Sequence, residues 1–413
     1  MNFRLRVWLA RLSGQLWFRP ALWSGIATVA TLLATLANAY VPHTRVPEID
    51  QGTLQNLLTI MASSMLTIAT FSLSVLVGAF SSASMAATPR AISLMMADDT
   101  AQSAIASFIA AFIYSIISLI ALGLDYYGTS GRFVLLACTL LVMAWVVISL
   151  LRWIQTLASL GGMGDTIIRV ERVATESLCC HRRLPFLGAR PAPAEVHGWP
   201  VHGSDSGYLQ RIDLASLQAL ASEQDTLCHI QVRPGAFVHP AQPLVILACE
   251  PRDAALREAI ATAFLVGPER TFEQDPRFGL IVLGEIGLRA MSAAINDSGT
   301  AIAVLAAQAR VFVRSAREAP EKIPVYDRVT LVPLAESSLV RGAFDAIARD
   351  GAGLFEIGIR LQKTLAVVAA NGSAETAAAV RQSARRAYDR AASALSLNYE
   401  RKALAELLTE IPG

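Results

Sequence analysis

Residues 59–81 read TIMASSMLTIATFSLSVLVGAFS, without a charge or a proline. A run of that length and character is long enough to cross a bilayer as a helix. In hydrocarbon only a helix or a closed barrel can satisfy its own peptide groups, and this run lacks the two-residue alternation of a barrel strand. At 3.6 residues per turn, Thr59, Ser63, Thr67, Thr70, Ser74, Gly78 and Ser81 fall on one narrow face. A helix that met only lipid would not need small and hydroxyl residues in register. The face therefore meets a second helix, where small residues allow close approach, or a water-filled path, where hydroxyls donate and accept.

Three further runs have the same character: 21–40, 105–124 and 133–151, with the striped helix taken as 57–80. None of the four holds Asp, Glu, Lys, Arg or His. That argues against a proton-coupled pump, which needs titratable relay groups. Pro20 opens the first run, and Trp23 and Tyr40 mark its ends. Residues 1–20 carry Arg4, Arg6, Arg11 and Arg19 among Trp8 and Trp17, the pattern of a short interfacial helix. No cleavable leader is expected, since the first apolar run is too long for one. Arg152, Arg169, Arg172, Arg182 and Arg183 follow the fourth run, whereas the two loops on the other side hold only Arg45 and Arg132. The positive-inside rule then places both termini in the cytosol.

Charged residues make up 16% of the chain, against roughly 25% in a soluble domain. The deficit falls before residue 152, so the chain has a membrane part and a soluble part. The net charge of +2 and the lack of a basic, aromatic-rich block argue against nucleic acid. Cys138, Cys179, Cys180, Cys228 and Cys249 are few and scattered, as reduced thiols would be. Cys179, Cys180, His181, His197 and His202 match no common zinc spacing, so no metal and no cofactor are expected.

The soluble part is expected to be α+β. Residues 154–200 read as a juxtamembrane helix and a proline-rich linker. Residues 201–250 read as a small β-barrel-like module, turned at Gly235, and residues 251–413 as a helical domain. Asp213, Asp275-Pro276 and either Asp297 or Ser298 are helix starts. Two long helices, 337–370 and 374–408, close the chain. The densest polar words supply the soluble site candidates: Arg270, Asp275, Glu285, Arg289, Asn296 and Asp297. Glu285 and Arg289 stand one turn apart and can pair, and Asn296 suits a left-handed helix exit. No nucleophile–base pair, phosphate loop or H-E-x-x-H accompanies them, so an enzyme is not expected.

Ala87-Thr88-Pro89-Arg90, the 207–244 module, Glu269-Arg270-Thr271 through Gln274-Asp275-Pro276, and the Arg289-to-Ala301 word follow the spans in order. This arrangement resembles a family of predicted bacterial membrane proteins known as a domain of unknown function (DUF2254-like). The family's usual word S-P-G-I-N-D-P-x-T-A is altered here by Ala293, Ala294 and Ser298. The resemblance implies a bacterial inner-membrane protein with a cytosolic domain, and no activity. The combined expectation is a homo-oligomeric channel or pore for a small ion or solute, lined by the second helix. The alternative is a membrane-anchored scaffold or sensor with a ligand- or partner-binding cytosolic domain.

Overall fold

The computed structural model describes residues 21–26, 28–29, 47, 49–86, 88–91, 99–159, 162–321 and 324–412. The N-terminal segment 1–20 and most of the expected first span lie outside these residues. Residues 21–26 and 28–29 are helical. Two compact units are present: Met1–Met85 with Ile92–Gly162, and Ala86–Ala91 with Met163–Gly413.

Among the described residues of the first unit, three helices are long and apolar enough to span a membrane. They are α1 (Gln51–Ala86), α2 (Asp99–Gly123) and α3 (Thr129–Ser159). Each outruns the apolar stretch that marks it in sequence. Helix α1 starts at Gln51 because the Asp50 carboxylate accepts the Thr53 N–H at 2.9 Å. It stops before Thr88, which precedes Pro89 and is steered out of the helical region. Leu54, Leu58, Met65 and Leu76 of α1 share one apolar core with Phe108 and Tyr114 of α2 and Leu135 and Val146 of α3. The Arg132 guanidinium donates to Gln51 at 3.0 Å, and the Gln51 amide donates to the Leu122 carbonyl at 3.1 Å. These bonds tie the three helices together at one end.

After Ala86–Ala91, the second unit resumes with α4 (Met163–Arg183) and continues through two sheets. Strands β1 (Ala189–Pro191), β2 (Trp199–His202), β4 (Cys228–Ile230), β6 (Pro243–Leu247) and β8 (Tyr326–Leu331) form the first, in the order β1-β8-β4-β6-β2. The β8 strand runs parallel to β1 and β4, while β6 is antiparallel to β4 and β2. The second sheet is antiparallel, β5-β3-β7, from β3 (Gly207–Ile212), β5 (Phe237–Val238) and β7 (Phe264–Gly267). Helices α5 (Leu214–Glu223) and α6 (Ala254–Thr262) add Leu217 and Ile260 to the same core.

Neither sheet closes, so the expected barrel-like module is instead two open sheets. Its edges also lie elsewhere. The stretch read as linker supplies β1 and β2, and residues beyond 250 supply β7 and β8. A local alternation cannot show that β4 finds its parallel partner about a hundred residues later.

The helical part is α7 (Pro276–Ala290), α8 (Ser298–Ser315), α9 (Glu336–Asp350), α10 (Phe355–Asn371), α11 (Ala374–Ala394) and α12 (Asn398–Thr409). Helix α7 packs against α4, α8 and α9 and buries residues all round. The Gln308 amide of α8 donates to the carbonyls of Leu280 (3.3 Å) and Ala343 (2.9 Å), joining three helices. Both expected closing helices are broken. The Gly351–Gly353 stretch ends α9, as a pair of weak helix formers should. Leu395 leaves α11 in an extended conformation and buries itself beside Ala391 and Leu404, so packing overrides propensity.

Helices α7 and α4 approach closely at Gly279, where an added Cβ would stand 2.6 Å from the Ala174 Cβ of α4. Gly279→Ala should destabilise this unit by about 1–3 kcal/mol, read as a lowered unfolding temperature of the detergent-solubilised protein. Gly353→Ala, with open space around it, should leave that temperature unchanged.

Candidate functional site

Thr59, Ser63, Thr67, Thr70, Ser74, Gly78 and Ser81 are all exposed on α1. The buried positions Leu54, Leu58, Met61, Met65, Ala69 and Leu76 lie on the opposite side of the helix. Exposed Ile60, Leu66, Phe71, Leu73 and Val77 flank the hydroxyl face. The stripe thus points away from its own unit's core, between two apolar margins. Its hydroxyls turn back on the helix. Thr59 donates to the Gln55 carbonyl (2.7 Å), Ser63 to that of Thr59 (3.1 Å), Thr67 to that of Ser63 (2.9 Å) and Thr70 to that of Leu66 (3.0 Å). Such back-bonding uses the donor and leaves oxygen lone pairs facing outward.

A second row of small and polar residues serves as a control in the same unit. Ser107, Ala111, Tyr114 and Ser118 of α2 are buried. The Trp145 indole of α3 donates to the Ser107 hydroxyl at 3.1 Å, and the Tyr114 and Thr139 hydroxyls bond at 3.0 Å. That row packs helices within the unit, and the α1 row does not. Trp23, Ile26, Ala110, Ala111, Leu141 and Trp145 line an almost wholly apolar cleft of about 400 Å³ in this unit.

The soluble candidates separate into three places. The Asp275 carboxylate is 1% exposed and caps α7. It accepts from Arg270 through Nε (2.9 Å) and Nη2, and from Arg277 through Nε (3.3 Å) and the backbone N–H (3.2 Å). Arg277 also donates to the Pro234 carbonyl at 3.1 Å. The neighbouring Arg233 is buried and donates to the carbonyls of Val332 and Pro185, each at 2.7 Å. Burial and the charge of Arg277 lower the Arg233 pKa to about 10, against the opposing pull of Asp275. Asp275 thereby joins α7 to the turn before β5. Gly235 of that turn has φ +86°, and an added Cβ would lie 1.8 Å from the Asp275 Oδ2.

Glu285 on α7 does not pair with Arg289. Its partner is the Arg90 guanidinium of Ala86–Ala91. Burial raises the Glu285 pKa, and the charges of Arg90 and Arg270 oppose that rise. A one-turn spacing cannot compete here, because Arg90 approaches Glu285 from a segment far away in sequence. Asn296 adopts φ +51°. Asp297 caps α8, accepting the Thr300 hydroxyl (2.6 Å) and N–H (3.0 Å), and these bonds hold its carboxyl below the usual range. Residues 293–297 are exposed. The six candidates therefore make no single pocket. Among the described residues no His/Cys/Asp/Glu group has the arrangement of a metal site.

Two features have no local sequence signal. Arg182 forms a two-point ion pair with Glu336, one bond at 2.8 Å, and Glu336 also accepts from Thr376 at 2.9 Å. Burial opposes ionisation of Glu336, but Arg182 outweighs it and holds the carboxyl below its usual range. Beside this pair His181 is buried. Burial, with the charges of Arg233 and Arg182, lowers its pKa to about 4.

Asp275→Ala should destabilise the soluble unit by about 3–5 kcal/mol, because it strands buried guanidinium groups. Gly235→Ala should lower the unfolding temperature too. His181 gives a pH signature. Its folded pKa lies below the unfolded value of roughly 6.5, so the unfolded chain takes up its proton first. Stability should fall as the pH drops from about 6.5 towards 4, and His181→Phe should flatten that part of a denaturation-versus-pH profile.

Over 147 residues the chain is 30% identical to uncharacterized proteins of Mycobacterium tuberculosis and Mycobacterium bovis. The match covers 34% of this chain and 27% of each relative's length. No solved structure matches significantly. The family described as "Predicted membrane protein (DUF2254)" matches residues 13–367, and the chain belongs to that family.

Proposed function

We propose that this protein is a homo-oligomeric, pore-like protein of the bacterial inner membrane, with α1 facing a path for a small ion or solute. The observation that carries this reading is the outward direction of the α1 stripe. A hydroxyl face pointing away from its own core, between apolar margins, fits a surface completed by further copies of the chain. Oxygen lone pairs along such a wall can replace part of an ion's hydration. The apolar runs 57–80, 105–124 and 133–151 within the described spans carry no Asp, Glu, Lys, Arg or His, which suits a passive path. In this reading residues 21–40 form a fourth span, and both termini lie in the cytosol. The soluble unit assembles or gates the path without catalysis.

A second reading is a membrane-anchored scaffold or sensor. It is favoured by the Ala86–Ala91 segment, which belongs to the soluble unit although it lies in sequence between two spans.

Purified protein in planar bilayers should show a unitary conductance, and Thr67→Leu with Ser74→Leu should reduce it severalfold. A conductance that ignores both substitutions would remove α1 from the wall. Silence across voltage, tension and pH would leave the scaffold or sensor as the better reading.

A further inference from the structure

Helix α1 ends at Ala86, and the chain runs directly into a short segment that is part of the soluble unit. Two residues of that segment are buried: Thr88 is 7% exposed and Ala91 0%. The Ala91 N–H donates to the Thr88 carbonyl at 3.0 Å and lies 3.3 Å from the Thr88 hydroxyl, closing a compact turn about Pro89. The Arg90 guanidinium extends from this turn to the Glu285 carboxylate of α7. Helix α7 is the central helix of the soluble part, in contact with α4, α8 and α9. The far end of the segment leads, through residues 92–98, to α2.

We propose that Ala86–Ala91 is a strap that couples α1 and α2 to the state of the soluble unit, with Arg90–Glu285 as its releasable latch. The argument rests on a division of work within the segment. Thr88 and Ala91 supply a fixed seat through burial. The latch is of another kind, because the Arg90 side chain is about half exposed and that of Glu285 about a quarter. An ion pair with one partner in water is weak and screened by salt. It suits a contact that opens and closes better than one that holds a fold together. Glu285 itself is half-buried beside a second cation, Arg270. It therefore keeps its position on α7 when Arg90 leaves, ready for the strap to return. A shift of α7 caused by a ligand or partner on the soluble unit would move the Arg90 anchor, and with it the end of α1. The inference concerns the strap and stands whether or not the stripe lines a path.

Hydrogen exchange on the full-length protein in lipid nanodiscs tests it. Arg90→Gln and Glu285→Gln should each raise amide exchange across residues 86–91 about fivefold. Exchange in the last turn of α1 should rise with it, and exchange in α9 should not. Arg90→Lys, which keeps the charge, should retain slow exchange in both places. Salt at about 1 M should speed exchange in the unmodified protein at the same residues, so the test survives a variant that fails to fold. Gln variants and high salt that leave residues 86–91 unchanged would overturn the latch. Faster strap exchange with no change at the end of α1 would overturn the coupling.

Discussion

A peptide group in hydrocarbon finds no water, and this constraint governs the membrane unit. It forces the apolar runs into helices and then asks each side chain where its own polar atoms go. Helix α1 answers in two ways around its circumference. Its core face is mainly Leu, Met and Ala, and on its hydroxyl face Thr59, Ser63, Thr67 and Thr70 return their donors to the turn before. The second answer makes the stripe tolerable without a partner, and it leaves the direction of the stripe as the informative feature. The α2 row has the same residue types but faces inward, where Ser107 and Tyr114 bond to α3. Composition alone does not separate a packing face from an outward one; position around the helix does.

The second unit depends on buried charge instead. Asp275 gathers two guanidinium groups and a helix N-terminus, and Gly235 leaves space for it. Arg182 and Glu336 join α4 to α9 in the same way, with Thr376 of α11 attached. These pairs are costly to strip of water and costlier to break, so they fix which elements lie together. The Arg90–Glu285 pair is more open to water than either of these.

Much of this was legible in the chain. Helix starts at Asp213, Asp275 and Asp297 rest on local capping chemistry, and each carboxylate accepts the expected N–H. Asn296 takes its left-handed conformation for a similarly local reason. What the sequence does not show is pairing at a distance. The β4–β8 ladder, the strands within the supposed linker and the Arg90–Glu285 pair all join residues whose local signals are silent about each other. The breaks at Gly351 and Leu395 show the same split, since glycine announces the first and only packing explains the second.

The central claim is the direction of the α1 stripe, and thiol accessibility in native membranes tests it most directly. In a cysteine-free background, single cysteines would replace Ser63, Thr67, Thr70 and Ser74, and separately Ile60, Leu66, Phe71 and Leu73. A membrane-impermeant, water-soluble thiol reagent would be applied from either side. The account predicts labelling at the first set and protection at the second, with a helical period along α1. Protection at all eight positions, or labelling without that period, would contradict it.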